Sequence, residues 1–161
     1  MKKLMVLILT GAGIALCAAF SGKESLQPGC GPQLQSKAQG TSSHFFGITC
    51  GNCHSEKNQK APGCFTVSGS VYNEARSAIH ANPVVKLYTE PGGQGKLVAT
   101  LYGDQLGNYY TTATVDFSEG LYPTLEGTPT VAEPVKHMYR RIFTGECNRC
   151  HGATTEALGI D

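Results

Sequence analysis

The chain has 161 residues and 17.1 kDa, a formal net charge of +1, 16% charged residues, 20 glycines, 8 prolines, 7 cysteines and no tryptophan. That is room for one compact domain. A hydrophobic fraction of 40% and a near-neutral balance exclude a long disordered tail and a nucleic-acid binder with a basic surplus. Glycine and proline without a G-X-Y period exclude collagen and favour a loop-rich or all-β chain.

In chain order, Lys2 and Lys3 precede an apolar run over 4–16 and then small residues, the pattern of an export signal. The run is too short to span a bilayer comfortably, so the mature chain is expected to carry no membrane span. Ala19-Phe20-Ser21 supplies the small residues a signal peptidase needs, which starts the mature chain near Gly22 and takes the formal net charge to −1. Ile14-Ala15-Leu16-Cys17 resembles a lipoprotein box. Lipidation of Cys17 is therefore the alternative, although the bulky Leu16 departs from the small residue such a box carries there. Export to the periplasm, cell surface or extracellular space puts six cysteines in an oxidising compartment: Cys30, Cys50, Cys53, Cys64, Cys147 and Cys150. There they are expected to be bonded in disulfides or to a cofactor.

Four of the six fall into two copies of one pentapeptide, Cys50-Gly51-Asn52-Cys53-His54 and Cys147-Asn148-Arg149-Cys150-His151. The C-x-x-C-H spacing has a physical reason in haem attachment: two thioethers fix the porphyrin, and the adjacent histidine comes under the iron as its proximal ligand. At this composition one such pentapeptide arises by chance in roughly 1% of shuffled chains, and two far more rarely. Both pentapeptides resemble the attachment motif of c-type cytochromes. The resemblance implies two covalently attached haem c groups, one on Cys50 and Cys53 with His54, the other on Cys147 and Cys150 with His151. A zinc site is the poorer reading, because paired cysteines of that kind usually lie roughly 15–20 residues apart and both histidines would be left without a role. A thioredoxin-like dithiol would need a βαβ pattern that the flanks lack.

Each iron has a second axial position, whose ligand sets potential and function. His44, His80 and His137 are the candidates, with Met138 the single methionine of the mature chain. The stretch from His44 through Phe45 and Phe46 to Thr49 precedes the first motif, and the stretch from His137 through Tyr139 and Phe143 to Thr144 precedes the second. This weak repeat selects His44 and His137 as distal ligands, one per haem, without assigning which serves which. His80 is the reserve, and Met138 reads as a packing residue. Two histidines per iron leave no open coordination position, which favours electron transfer over peroxidase or oxygen chemistry. Cys30 and Cys64 are left over and bracket the first motif. A disulfide between them would stabilise by roughly 4 kcal/mol on chain-entropy grounds, in a segment poor in apolar residues.

From residue 65 apolar and polar residues alternate in short runs, which predicts strands over 65–72, 84–89, 96–102 and 109–117. Glycine-rich turns are expected at 91–95 and 103–108. Val67-Ser68-Gly69-Ser70-Val71-Tyr72, Asn82-Pro83-Val84-Val85-Lys86-Leu87-Tyr88 and Asp104-Gln105-Leu106-Gly107-Asn108-Tyr109-Tyr110 resemble the carboxypeptidase regulatory-like domain, a transthyretin-like β-sandwich. That family implies a scaffold or adhesion module with no catalytic residues, so Asp104 and Asn108 read as turn residues rather than a calcium site. Leu121-Tyr122-Pro123 is expected to end the β pattern, and a linker to begin at 128. Residues 135–143 are expected as a short helix, with Lys136, Arg140 and Arg141 facing solvent or screening haem propionates.

The expected fold is mainly β: a small antiparallel sandwich over 64–127, flanked by loop and short-helix haem-binding segments over 22–63 and 128–161, behind a signal peptide over 1–21. The expected role is that of a non-enzymatic electron carrier, similar to multihaem cytochromes that stack into extracellular filaments. Its partners would be identical subunits or redox proteins. A soluble monomeric periplasmic shuttle is the alternative, and a di-haem peroxidase-like enzyme a more distant one. A carbohydrate-binding or adhesion module lacks the exposed tryptophans that would support it.

Overall fold

The computed structural model describes residues 31–58, 60–128 and 135–160. The expected signal segment, Cys17, Cys30 and most of the expected linker lie outside the described residues. Seven strands form two sheets: β1 (Val67–Ser70), β2 (Val84–Glu90), β3 (Gln94–Tyr102), β4 (Asn108–Thr111), β5 (Tyr122–Glu126), β6 (Lys136–His137) and β7 (Gly145–Glu146). One sheet runs β4-β1-β7 and the other β3-β2-β5-β6. Every pairing is antiparallel except that of β1 with β7, which is parallel. The chain is thus the mainly β, two-sheet structure its alternating pattern predicts. No helix among the described residues is long and apolar enough to cross a membrane.

The core lies between the sheets and takes Val67 and Val71 from the β1 region, Val85 and Leu87 from β2, Leu101 from β3, Tyr109 from β4 and Leu125 from β5. Alternation puts these positions on the inward faces. Gly69 and Tyr109 are register partners on β1 and β4, and the absence of a side chain at Gly69 lets the Tyr109 ring lie across the strand; a Cβ there would clash with the phenol. All four residues of β1 are buried, so both faces of this strand are covered. Its outward serines, Ser68 and Ser70, lie beneath the segments that carry the two pentapeptides.

The turns form where glycine and Asx chemistry require them. Gly92 and Gly93, at φ of 72° and 73°, link β2 to β3. Asp104 Oδ1 accepts the N–H groups of Leu106 at 3.0 Å and Asn108 at 3.1 Å, the Asx turn that returns the chain into β4. Asp104 is therefore spent on backbone donors, in keeping with its reading as a turn residue.

Three expected elements differ. The strand predicted over 109–117 stops at Thr111, because Thr112 N–H turns to the Leu34 carbonyl at 2.9 Å. The β pattern does not end at Leu121-Tyr122-Pro123, since β5 carries Pro123 opposite Leu87. Proline is tolerated there because its carbonyl, on the side of the missing N–H, faces Met138 N–H at 2.9 Å, where β6 has already ended. The helix expected over 135–143 is not formed. Lys136–His137 pairs with Thr124 and Leu125, and Ile142 exchanges two 2.9 Å hydrogen bonds with Leu121, so strand partners satisfy a backbone that a helix would have satisfied internally.

The outer segments are tied into the sandwich. Ser36 N–H donates to the Tyr110 carbonyl at 3.0 Å, Tyr72 N–H to the Leu158 carbonyl at 2.8 Å and Ile160 N–H to the Tyr72 carbonyl at 3.0 Å. Ile160 is fully buried in the core. Residues 145–160 therefore leave β1 at Val67 and return at Tyr72, just past its end.

Candidate functional site

The two pentapeptides adopt one conformation. Cys50–Asn52 and Cys147–Arg149 each form a single 3-10 turn. The following histidine closes it, with His54 N–H donating to the Cys50 carbonyl at 2.9 Å and His151 N–H to the Cys147 carbonyl at 3.0 Å. Neither Cys50 and Cys53 nor Cys147 and Cys150 are joined by a disulfide. Burial pushes the Cys50 thiol up and raises that of Cys147 to about 11, the neighbouring Cys50 and Cys150 adding to the latter. A nucleophilic dithiol needs the opposite shift.

Each motif histidine is oriented in the same way. His54 Nδ1 lies 2.8 Å from the Pro62 carbonyl and His151 Nδ1 lies 2.9 Å from the Glu156 carbonyl. A carbonyl oxygen only accepts, so Nδ1 carries a proton in both rings, and in a neutral imidazole the lone pair is then on Nε2. This is the second-sphere arrangement that presents an imidazole to a metal. His54 is buried and stacks on Phe65 at 4.2 Å, which stacks on Tyr110 at 4.6 Å.

A second histidine lies near each of these. The rings of His44 and His54 stand 5.8 Å apart, centre to centre, tilted by 38°. Two imidazoles on opposite sides of one ion, each bonded at about 2.0–2.1 Å, have centres roughly 6 Å apart. At the second motif, Cys147, Cys150 and His151 line a cavity of about 500 Å³ together with His137 and Met138. Its walls are Val85, Leu125, Ile142 and Leu158, and Arg76 and Lys136 stand among its lining residues. A volume of this order suits an organic cofactor. His137 Nδ1 lies 3.1 Å from Thr124 Oγ1, which fixes its ring. Met138 borders the same cavity rather than packing on a helix.

The remaining candidates separate from these sites. His80 lies in the β1–β2 connection, its N–H on the Val71 carbonyl at 3.0 Å, and does not line the cavity. Cys64 is buried and disulfide-bonded; Cys30, its expected partner, lies outside the described residues. Among the described residues no group of three or more His, Cys, Asp or Glu side chains is arranged to hold a metal ion, so the two cysteine pairs do not converge into a zinc site there. Of the cations expected on the helix, Lys136 pairs with Glu74, Arg141 lies over the Tyr122 ring at 5.5 Å and Arg140 is exposed.

The motifs lie side by side along β1. Between them stands Glu146, whose carboxylate packs against Gly51 so closely that a Cβ there would clash. Asn148 reaches in the other direction, its Nδ2 donating to the Ile48 carbonyl at 3.0 Å. Sequence reasoning missed Asn148, Tyr109 and Arg76. The middle residues of C-x-x-C-H carry no signal of their own, and Arg76 sits in a polar loop. No protein-family model, curated protein or solved structure matches the chain.

Proposed function

We propose that the chain is an exported di-haem c-type cytochrome that transfers electrons, carrying haem c on Cys50 and Cys53 and on Cys147 and Cys150. The observation that carries this reading is the repeated geometry: two C-x-x-C-H turns of one conformation, each with a histidine whose Nδ1–H is held by a carbonyl and whose Nε2 is free to ligate. His54 and His151 are the proximal ligands. Ring proximity assigns His44 to the first iron, and the shared cavity assigns His137 to the second. Haem iron supplies one-electron chemistry. The protein holds the imidazoles in place, and at the second site it offers a cavity with Val85, Leu125, Ile142 and Leu158 among its walls. With two histidines to offer each iron, this set of residues would suit a carrier better than a peroxidase.

The test is the mass of the exported, matured protein. Two covalent haem additions are expected, falling to one when both cysteines of either pentapeptide are replaced by serine; an unmodified polypeptide overturns the reading. The sandwich serves as scaffold, consistent with the likeness to the carboxypeptidase regulatory-like domain.

Identical subunits in an extracellular, haem-stacked filament are the partners this reading favours over a soluble periplasmic shuttle. The supporting observation is that Phe45 and Tyr139, 74% and 71% exposed, each stand against a distal candidate, His44 at 5.0 Å and His137 at 6.1 Å. Aromatic surface beside both histidines suits contact with another redox centre. Electron microscopy of the haem-loaded protein decides between them: filaments support the polymer, and discrete monomers under all conditions leave the shuttle.

A further inference from the structure

Three buried polar side chains from three parts of the chain meet on the outward face of β1. None is a motif cysteine or histidine. Ser70, Asn108 and Asn148 are 2%, 3% and 6% exposed. Asn148 Oδ1 accepts Ser70 N–H at 3.0 Å, and its Nδ2 donates to Ser70 Oγ and to the Ile48 carbonyl, both at 3.0 Å. Ser70 Oγ accepts Gly47 N–H at 2.9 Å and donates to Asn108 Oδ1 at 2.6 Å. Asn108 Nδ2 donates to Ser43 Oγ at 2.9 Å and to the His44 carbonyl at 3.4 Å.

Counting donors and acceptors shows a complete network. The serine hydroxyl uses its proton and both lone pairs, and both carboxamides use both N–H groups and the oxygen. A buried network is cooperative when complete and costly when one member is removed. Its contacts run along 43–48, the segment that holds His44 and Phe45, the latter in the left-handed region at φ 50°. Strain of that kind persists only where the surroundings over-determine the backbone. The other end of the network is Asn148, inside the second pentapeptide. At the matching position of the first pentapeptide stands Gly51, which has no side chain to offer in return and receives Glu146 instead.

We propose that Asn148 is a positioning residue for the first site: through Ser70 and Asn108 it fixes the backbone around His44, so that the second pentapeptide sets how firmly His44 is held beside His54. This rests on the haem reading above and adds a coupling between the two sites that attachment alone does not require.

The test is the spin state of the ferric di-haem protein by electron paramagnetic resonance, in the parent, in Asn148→Ala and Asn148→Asp, and in each combined with His44→Ala. The parent is expected to be low-spin at both irons. Asn148→Ala is expected to move the His44 ligation equilibrium roughly tenfold toward the open state, the effect of one buried hydrogen-bond partner lost, and so to produce a high-spin signal. Asn148→Asp keeps the acceptor for Ser70 N–H, loses both donors and sets a buried acceptor against the Ile48 carbonyl, so it should shift the same equilibrium at least as far; Ser70→Ala, which keeps the Asn148 bonds to Ser70 N–H and Ile48 but cuts the link to Asn108, carries the test if neither variant folds. In the His44→Ala background neither change should add high-spin signal. A parent-like spectrum in both variants overturns the inference, as does a high-spin signal that adds to that of His44→Ala, because Asn148 would then support only its own motif. A parent without covalent haem overturns the haem reading and this inference together, whereas two attached haems without the first-site response overturn this inference alone.

Discussion

The imidazole of His44 stands 5.8 Å from that of His54, yet the two residues belong to different local structures, an exposed loop and the end of a hydrogen-bonded turn. On the proposed di-haem reading this proximity assigns His44 to the first iron as its second ligand. Replacing it with alanine should open that iron alone, so that reduced protein binds carbon monoxide at one haem of the pair while the parent binds little at either. His137→Ala should open the other. Difference spectra with carbon monoxide check both, and a variant that stays closed removes that histidine from the ligand set.

Gly69 and Gly152 should respond to alanine for different reasons. At Gly69 the added carbon meets the buried Tyr109 ring, and overpacking there should cost about 1–3 kcal/mol. At Gly152 nothing lies within 4 Å, and only the positive φ of 86° opposes the substitution, at about 1–2 kcal/mol. Denaturant titration of the two variants compares them directly.

Tyr109 should make the fold sensitive to alkali. Burial holds its phenol well above the ordinary value, with the Cys147 thiol adding to the effect. The unfolded chain ionises this phenol near pH 10 and the folded chain does so only at a higher pH. Its contribution is therefore complete below about pH 10 and is lost as pH climbs toward the folded value. Tyr109→Phe keeps the ring over Gly69 and should flatten that loss, measured as the unfolding midpoint against pH.

Ile160 should count for more than its place near the end of the sequence suggests. It is fully buried, and its N–H is bonded to Tyr72, so Ile160→Ala should cost about 2–5 kcal/mol. Thermal unfolding of the haem-loaded variant checks this, and a loss below 1 kcal/mol would mean that the tail is not part of the core.

What the sequence disclosed follows from the length of the signals. The pentapeptides are dense motifs, and their common turn is local, so both the motif and its histidine could be read directly. Strands β1 to β3 alternate over enough positions to be seen. Lys136–His137 and Gly145–Glu146 are two-residue strands with no period to detect, and their pairing is decided by partners far away in the chain. Leu121-Tyr122-Pro123 misled because proline usually ends a strand, and nothing local reveals that the neighbouring strand stops first. The 5.8 Å approach of His44 to His54 involves tertiary contacts of 43–48, such as Gly47 N–H on Ser70 Oγ, that no local pattern announces.

The return of residues 158–160 to Tyr72 gives the second pentapeptide the form of a handle with one foot on β1 and the other just past its end. Gly152 to Thr155 form the outer curve of that handle, exposed and with open space at Gly152. Lengthening the curve by a few residues would add little closure entropy and would leave β7 and Ile160 in register. Extra length in the handle would thus spare the sheets beneath and act on the second site alone, by shifting the Glu156 carbonyl that holds His151 Nδ1.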